Sequence, residues 1–396
     1  MTEAATLRGQ AASTTAWTVL IAISLCHTIN DIMQSMLAAI YPLLQQEFTL
    51  SYWQIGLMTF AFQVTASLLQ PVVGMITDKK PMPRSLSVGM GSTFFGVLLL
   101  ALAHEYWVLL AGAMLIGIGS AVFHPESSRV ARIASGGRFG TAQSLFQLGG
   151  NFGTALGPLL AAFIVVPLGR PSVALFSIAA MLGSAILWRV GTWAEGRRRA
   201  AQHKPVPPLP FSRRRVVAAI VVLALLTFTK NIYTASISSY YTFFLIEKFS
   251  LTTQQAQLML FLFLGGMAGG VMLGGLIGDR VGPLKVIWFS ILGILPFTLA
   301  LPHVGLATTG VLTVIIGLIL ASAFPAIVVF AQELVPGRTG MIAGIFFGFA
   351  FGMGGIAAAV LGVIADARGI EYVYQICAYL PLMGLLTIFL PQMQRL

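Results

Sequence analysis

The chain has 396 residues, of which 57% are hydrophobic and only 9% are charged. Soluble domains carry about a quarter charged residues, so this composition excludes an ordinary soluble enzyme and requires lipid as the solvent. The formal charge of +11 would suggest a nucleic-acid partner in a soluble protein, whereas a membrane protein concentrates such charge on one side of the bilayer.

Twelve apolar stretches are each long enough to cross a bilayer, which needs about 20 residues. In chain order these spans cover residues 17–41, 52–76, 85–103, 107–131, 140–166, 172–194, 214–245, 255–278, 284–302, 305–331, 341–365 and 372–391. The first is too long for the core of a signal peptide and has no obvious cleavage site, so we expect it to be retained. The sequence therefore predicts an all-α membrane protein with twelve transmembrane helices.

Positive charge lies almost entirely on one side of this predicted topology. With the N-terminus in the cytoplasm, nineteen of the 23 Lys and Arg residues are cytoplasmic, three are outside, and Lys230 lies within a span. By the positive-inside rule we expect both termini in the cytoplasm, and no nucleic-acid partner. Cys26 and Cys377 fall inside spans and show no disulfide or metal-ligand spacing, so we expect no metal site and no cofactor.

A basic, proline-rich stretch divides the chain near its midpoint. Residues 196–215 read GRRRAAQHKPVPPLPFSRRR, which is unsuited to a membrane and is typical of a linker. We therefore predict an N-terminal six-helix bundle over residues 1–195, a cytoplasmic linker over 196–212 and a C-terminal six-helix bundle over 213–396.

The two predicted bundles match each other at an offset of 201 residues. This register pairs Asn30 with Asn231 and Phe123 with Phe324. Because each repeat contains an even number of spans, both copies insert with the same orientation. Two parallel six-helix repeats are the arrangement of the major facilitator transporters.

The clearest internal match lies in the loops after spans two and eight. GGLIGDRVGPLKVI (274–287) resembles the major facilitator signature, and GMITDKKPMPRS is its first copy, with Pro81 where glycine is usual. Glycine allows close helix approach, and an acid at the cytoplasmic end of one helix can cap the N-terminus of a neighbour or pair with a nearby cation. A simple basic turn is the alternative. The residues predicted to act in gating are Gly74, Asp78, Arg84, Gly275, Asp279 and Arg280.

Few charges lie inside the predicted spans. Asp31 and Glu126 are the only two of the twelve acids well inside, and Lys230 is the one unambiguous cation there. A charge at mid-membrane costs about 2.5–3.5 kcal/mol, so it normally faces a cavity or a partner. His27, Asp31 and Gln34 share one face of span one. We expect Asp31 and Lys230 to face each other across a central cavity; a permanent structural ion pair is the alternative.

Other polar residues recur at helical spacing on spans five and seven. Gln143, Gln147 and Asn151 follow every four residues, and Tyr233 lies three residues after Lys230. These groups could line a cavity or hold helices together by hydrogen bonds. Polarity concentrates in spans one, four, five and seven, and in the major facilitator arrangement spans one, four, seven and ten surround the cavity.

Span four contains the unusual segment VFHPESSRVAR, residues 122–132. Pro125 lacks a backbone donor and should bend the helix. Glu126 and Arg129 are three residues apart and can pair on one face. We expect Glu126, Arg129 and the neighbouring His124 at the cytoplasmic mouth of the cavity; a solvated helix end is the alternative.

Several stretches, among them DIMQSMLAAIYPLLQ, FHPESSRVARIASGGR and QSLFQLGGNFGTALGPLL, together resemble the fosmidomycin resistance proteins, bacterial inner-membrane efflux carriers of the major facilitator superfamily. The resemblance covers almost the whole chain. It implies export of a small phosphonate that bears a hydroxamate, in a multi-pass inner-membrane protein that functions as a monomer. Gly153, Gly157 and Pro158 also resemble the helix 5 pattern of antiporters, with alanines replacing its final glycines, and we expect these three residues to act in gating as well.

The expected function is therefore proton-coupled efflux of a small anionic drug by alternating access. Asp31 or Glu126 would carry the proton. The expected substrate-binding residues are Lys230, Arg129, His27, His124, Gln147, Asn151, Tyr233 and Gln34. A proton symporter that imports a small organic anion is the alternative. An enzyme is not expected, because the five histidines are scattered along the chain.

Overall fold

A computed structural model describes residues 15–50, 52–80, 82, 84–201, 207–251 and 253–393. Every regular element in the described part of the chain is helical. The long helical segments, labelled in chain order, are α1 Trp17–Ala39, α2 Leu57–Lys79, α3 Ser85–Leu102, α4 Tyr106–Ala134, α5 Phe139–Leu168, α6 Arg170–Arg197, α7 Arg213–Phe249, α8 Leu258–Val281, α9 Pro283–His303, α10 Leu306–Leu334, α11 Thr339–Arg368 and α12 Ile370–Phe389.

Eleven of these helices are long and apolar enough to cross a membrane. In α11 the apolar stretch among the described residues is Thr339–Gly354. All twelve helices coincide with the twelve spans expected from hydropathy, within a few residues at most ends. The prediction of an all-α membrane protein is confirmed.

Several helices contain local irregularities that hydropathy does not reveal. A π-helical turn at Val64–Leu68 interrupts α2, and a second at Ala161–Val165 follows Pro158 in α5. Ser322 separates the two halves of α10, and the second half of α12 is a 3₁₀-helix, Leu380–Phe389. By contrast, α4 remains helical through Pro125. Such breaks are common near functional sites because they free backbone groups.

The segment between the two predicted bundles is helical at its start. The helix that contains α6 continues as far as Ala201, and α7 begins at Arg213. Residues 202–206 of the predicted linker lie outside the described residues. Residues 207–212 are not helical, so a helical extension precedes the non-helical part of the connection.

The two halves pack most extensively along two helix pairs, and α4 also packs against α11. Helix α2 packs against α11, and α5 packs against α8, while α1 packs along α5 inside the first half. One apolar core extends from the first half into α9, α10 and α11, and a second lies within the C-terminal half. The ends of α2, α4, α8 and α10 meet the starts of α3, α5, α9 and α11 at one end of the bundle, which we call the basic end because Lys79, Arg138, Arg280 and Arg338 lie there.

Candidate transport site and gate

A buried cluster of ionisable side chains lies between α1 and α4. His27 Nε2 is 3.4 Å from Asp31 Oδ2, and His124 Nε2 is 3.8 Å from Asp31 Oδ1. The two imidazole Nε2 atoms are 3.2 Å apart. Asp31 is 6% exposed and both histidines are more deeply buried. Three groups that the sequence places up to 97 residues apart therefore form one site, which we call the Asp31 cluster.

Amide and hydroxyl groups hold Asp31 in position. Asn30 and Gln34 donate hydrogen bonds to Asp31 Oδ1 over 3.0 and 2.9 Å, and Thr154 donates to Oδ2 over 3.5 Å. Ser120 on α4 in turn donates to Gln34 Oε1 over 3.1 Å. These bonds offset part of the cost of burying a carboxylate away from water.

Glycines on α5 make room for the Asp31 cluster. A Cβ atom on Gly150 would lie 2.5 Å from the His27 ring and 3.0 Å from Asp31 Oδ2. A Cβ atom on Gly153 would lie 2.3 Å from the Thr28 carbonyl oxygen. The small-residue pattern that includes Gly153, Gly157 and Pro158 therefore lets α5 approach α1 closely.

Lys230, in the middle of α7, is only 8% exposed. Its Nζ atom lies 5.6 Å from the centroid of the Phe324 ring, a cation–π contact. Among the described residues the carboxylate ion pairs are His27–Asp31, His124–Asp31, Arg129–Glu126 and Arg170–Glu47, so Lys230 has no carboxylate partner there. A buried cation without a carboxylate partner is suited to bind an anion that enters the site.

Four phenylalanines separate Lys230 from the Asp31 cluster. The ring centroids of Phe123 and Phe146 are 6.0 Å apart, those of Phe146 and Phe347 are 6.0 Å apart, and those of Phe347 and Phe324 are 5.1 Å apart. Phe123 and Phe324 are equivalent in the 201-residue repeat, and so are Phe146 and Phe347. The four rings, here called the phenylalanine ring cluster, thus come equally from both halves.

The phenylalanine ring cluster contacts charged or ionisable groups on both sides. The His27 ring stacks on Phe146 with centroids 4.1 Å apart, and the His124 ring lies 5.1 Å from Phe347. On the other side, Lys230 lies over Phe324. Ionisable side chains therefore contact the phenylalanine ring cluster on both of its sides.

Glu126 and Arg129 lie deeper towards the basic end, on the same face of α4. Glu126 is fully buried and pairs with Arg129, whose Nη1 also donates to the Thr77 carbonyl oxygen over 2.8 Å. The pairing predicted from their spacing is present. These residues lie inside a closed region of the protein, and Arg129 is already bound by two partners.

A second polar chain joins the halves near the basic end. Ser128 donates to Gln143 Oε1 over 2.9 Å and accepts a hydrogen bond from Gln332 of α10 over 3.0 Å. Arg132 donates to Gln332 over 3.4 Å. Gln143 therefore belongs to this contact between halves. Gln147 is half-buried and donates to Asn151 over 3.2 Å.

Two aspartates cap helices of the opposite half at the basic end. Asp78 accepts from the backbone N–H groups of Gly340 and Met341, at the start of α11, over 3.0 and 2.7 Å. Asp279 accepts from those of Gly140 and Thr141, at the start of α5, over 2.7 and 2.9 Å. A carboxylate at a helix N-terminus also interacts favourably with the helix dipole.

The signature glycines make these caps possible. A Cβ atom on Gly74 would lie 2.3 Å from the Gly340 carbonyl oxygen, and one on Gly275 would lie 2.6 Å from the Gly140 carbonyl oxygen. Of the basic residues in the two motifs, Arg84 lies over the Trp188 ring and Arg280 is exposed at the end of α8. Tyr233 packs within the apolar core of the C-terminal half.

The profile of the Major Facilitator Superfamily matches residues 23–359. The chain belongs to the Major Facilitator Superfamily. It is therefore a multi-pass membrane transporter and not an enzyme.

Within this superfamily, the chain is 58% identical over 391 residues to the fosmidomycin resistance protein of Escherichia coli (strain K12), covering 97% of this chain and 96% of that protein. It is 38% identical over 392 residues to the uncharacterized MFS-type transporter YfnC of Bacillus subtilis (strain 168), covering 98% and 96%. The resemblance to the fosmidomycin resistance proteins is confirmed at this level.

Solved major facilitator structures share the fold. The crystal structure of the transporter FucP in the outward conformation superposes with a TM-score of 0.74 and 19% identity, covering 95% of this chain and 98% of that chain. The fold of this chain is therefore the major facilitator fold.

Several features of this major facilitator site escaped the sequence analysis. The positions of the histidines in the sequence do not predict that His27 and His124 meet. Gln332 was not among the predicted site residues. The 201-residue register already contained the pair Phe146 and Phe347, so the repeat could have revealed the phenylalanine ring cluster.

Proposed function

We propose that this transporter exports a small anionic drug of the fosmidomycin type in exchange for protons. The observation that carries the proposal is Lys230, a buried cation with no carboxylate partner among the described residues. The relative that is 58% identical bears the name fosmidomycin resistance protein, which supports drug export as the direction of transport.

Lys230 would bind the phosphonate of the substrate as a charge-assisted partner. Gln34, Gln147 and Asn151 are half-buried amides on α1 and α5 that could orient the ligand. Arg129 is a weaker candidate than the sequence suggested, because Glu126 and the Thr77 carbonyl already occupy its guanidinium.

Asp31 is the better of the two candidate proton carriers. Glu126 is paired with Arg129, which already balances its charge. Asp31 instead shares its site with two imidazole rings, which can relay a proton to or from its carboxylate. In the proposed cycle Asp31 and its neighbours take up a proton from outside and release it at the basic end.

Alternating access would use the contacts between the halves at the basic end. The aspartate caps, the Ser128–Gln332 bond and the phenylalanine ring cluster support a state that is closed there. These contacts would separate when the N-terminal bundle (1–195) rocks against the C-terminal bundle (213–396) around the 196–212 linker. By the positive-inside rule the basic end and both termini would face the cytoplasm, in a bacterial inner membrane. A monomer would suffice, because both halves of the site come from one chain.

A proton symporter that imports a small organic anion is the second candidate. One observation favours it: protonation of the Asp31 cluster removes negative charge, which would let an anion and a proton bind together. The two candidates predict opposite effects on drug survival, since an exporter protects a cell and an importer sensitises it.

The test is fosmidomycin survival of a sensitive bacterial strain that expresses the protein. We expect expression to raise the inhibitory concentration, Lys230→Ala to abolish the increase, and Lys230→Arg to retain part of it. Lys80→Ala, at an exposed position of the basic end, is the matched control. Sensitisation by the wild-type protein would favour import, and full protection by Lys230→Ala at equal membrane abundance would exclude the proposed role of Lys230.

A further inference from the structure

The two imidazoles of the Asp31 cluster present the same ring nitrogen to the carboxylate. His27 Nδ1 lies 2.7 Å from the Phe146 carbonyl oxygen, and His124 Nδ1 lies 3.0 Å from the Ser120 carbonyl oxygen. A carbonyl oxygen can only accept, so each Nδ1 carries a hydrogen and donates it. Each neutral ring therefore presents Nε2, the nitrogen that can bind a metal ion, to Asp31.

The separations between these ligand atoms are close to those of a tetrahedral metal site. Zinc binds imidazole nitrogen at about 2.0–2.1 Å and carboxylate oxygen at about 2.0–2.2 Å, so neighbouring ligand atoms of a tetrahedron lie roughly 3.3–3.5 Å apart. The two Nε2 atoms are 3.2 Å apart, and His27 Nε2 lies 3.4 Å from Asp31 Oδ2. His124 Nε2 is 3.8 Å from Asp31 Oδ1, and the ligand atoms of all three groups lie within 4.8 Å of one another. A rotation of the carboxylate towards His124 would complete the arrangement.

Neighbouring groups hold the three ligands in position, as they do in metal sites of known proteins. Histidines that bind a metal almost always donate a hydrogen bond through their second ring nitrogen, and both imidazoles do so here to backbone carbonyls. Asn30 and Gln34 donate to Asp31 Oδ1 over 3.0 and 2.9 Å, and Oδ2 faces His27. The three ligands are therefore oriented before any ion arrives.

One buried atom beside the Asp31 cluster has no hydrogen-bond partner among the described residues. Asn30 is 1% exposed and its Nδ2 donates to Asp31, but its Oδ1 accepts no hydrogen bond from the described part of the chain. A buried acceptor without a donor is unfavourable. Three protein ligands leave the fourth position of a tetrahedral ion to water, and this water would be a donor for Asn30 Oδ1.

An ion can reach the Asp31 cluster from the side that faces away from the basic end. Helix α5 begins at the basic end with Phe139, so Thr154 lies further from that end than Phe146 does. Thr154 is exposed and donates to Asp31 Oδ2 over 3.5 Å. Asp31 is also the most exposed of the three ligands, at 6%. An entering ion would therefore meet the carboxylate first.

We propose that His27, His124 and Asp31 bind a divalent transition-metal ion of the zinc type, with water as the fourth ligand, and that the bound ion inhibits export. Imidazole and carboxylate ligands suit such an ion, whereas magnesium and calcium prefer oxygen ligands alone. The proposal replaces the expectation of no metal site, which considered only spacing along the chain. It also assigns metal binding to two histidines that the sequence suggested as substrate contacts.

Inhibition follows from which groups the ion would occupy. A carboxylate that is bound to a metal cannot also take up a proton, and Asp31 is the proposed proton carrier. The ion also connects α1 to α4, and it restrains the imidazoles that contact Phe146 and Phe347 of the phenylalanine ring cluster. Only the inhibition rests on the proposed function, because the binding site follows from the geometry of the ligands.

Zinc binding to the purified protein tests the site directly. The protein is prepared without a polyhistidine tag, stripped with a chelator and titrated with Zn²⁺ in a calorimeter. We expect one ion per chain, and a loss of affinity of at least about 100-fold in His27→Asn and in His124→Asn. His104→Asn and His303→Asn, at exposed positions, are the matched controls and should bind zinc as the wild type does.

X-ray absorption at the zinc edge tests the wild-type site without any substitution. We expect two imidazole nitrogens and oxygen ligands at about 2.0–2.2 Å from the ion. Sulfur among the ligands, which would place the ion at Cys26 or Cys377, or fewer than two imidazoles would overturn the proposal. Absence of binding to the wild type would overturn it as well, and so would undiminished affinity in both histidine variants.

Flux of labelled fosmidomycin in proteoliposomes tests the inhibition. Free Zn²⁺ is held constant with a metal buffer, because the hydroxamate of the drug itself binds zinc. We expect half-inhibition near the dissociation constant from calorimetry, and unchanged export with zinc bound would overturn the inhibitory role. A protein that binds zinc but exports no drug would refute only the proposed function, whereas a protein that exports the drug but binds no zinc would refute only the metal site.

Discussion

Replacing Gly74 with alanine should open the basic end, because the new methyl group has no space between α2 and α11. Its Cβ atom would lie 2.3 Å from the Gly340 carbonyl oxygen and 2.6 Å from the Met341 nitrogen, which are backbone atoms that cannot rotate away. Gly91→Ala is the matched control, since a Cβ atom at Gly91 of α3 meets nothing within 4 Å.

The size of the effect follows from the contacts beside Gly74. Ordinary contact needs about 3.4 Å, so the helices must separate by roughly 1 Å. That shift would lengthen the Asp78 hydrogen bonds to Gly340 and Met341, now 3.0 and 2.7 Å, towards or beyond the hydrogen-bond limit. Two charge-assisted bonds at about 1.5 kcal/mol each amount to about 3 kcal/mol, or roughly a 150-fold shift in the ratio of closed to open states. The gain in helix propensity on replacing glycine applies to both states and cancels.

Distance measurement by electron paramagnetic resonance can detect this shift between closed and open states. Spin labels at Lys80→Cys and Arg338→Cys report the separation of the halves at exposed positions of the basic end, after the buried Cys26 and Cys377 are replaced by alanine. We expect a short distance in the parent and in Gly91→Ala, and a dominant longer distance in Gly74→Ala. Identical distance distributions in all three proteins would refute the idea that close approach at Gly74 maintains closure.

Three further predictions concern other contacts. Asp279→Asn retains the size of the side chain but removes its charge, so it should shift the equilibrium from the closed towards the open state by about 1–2 kcal/mol. The same distance measurement reads this shift, and an unchanged distance distribution would argue against the helix cap. Arg170→Lys should lower the thermal unfolding temperature of the purified protein, with a loss of about 1–3 kcal/mol, because the guanidinium donates to Glu47 and to two backbone carbonyls while Glu47 itself is partly exposed. Gly153→Ala should also lower that temperature relative to Gly91→Ala, since its Cβ atom would lie 2.3 Å from a backbone oxygen of α1; equal temperatures would refute the proposed packing role.

The architecture could be predicted from the sequence because the apolar requirement of a membrane span is met by a short, continuous stretch of residues. Each span is recognisable from about 20 neighbouring residues, and the 201-residue register follows from direct comparison of the halves. The pairing of Glu126 with Arg129 was accessible for the same reason, since residues three apart on a helix share a face.

The composition of the site was harder to predict, because it depends on how helices pack. His27 and His124 meet because α1 and α4 pack side by side, while Gly150 of α5 leaves the space beside His27 and Asp31. Helical spacing placed His27 and Asp31 on one face but gave no partner from α4. The sequence shows that Lys230 is a charged residue that is costly to place in the membrane. Its contact with Phe324 depends on the three-dimensional arrangement of α7 and α10.

The central claim is that an anion leaves as protons enter, and its most direct test is flux of labelled fosmidomycin in proteoliposomes with the membrane potential clamped. With an imposed pH gradient, the account predicts that the drug moves against the direction of proton flow and that reversing the gradient reverses the drug flux. Movement of drug and protons in the same direction, or drug flux that ignores the gradient, would contradict it.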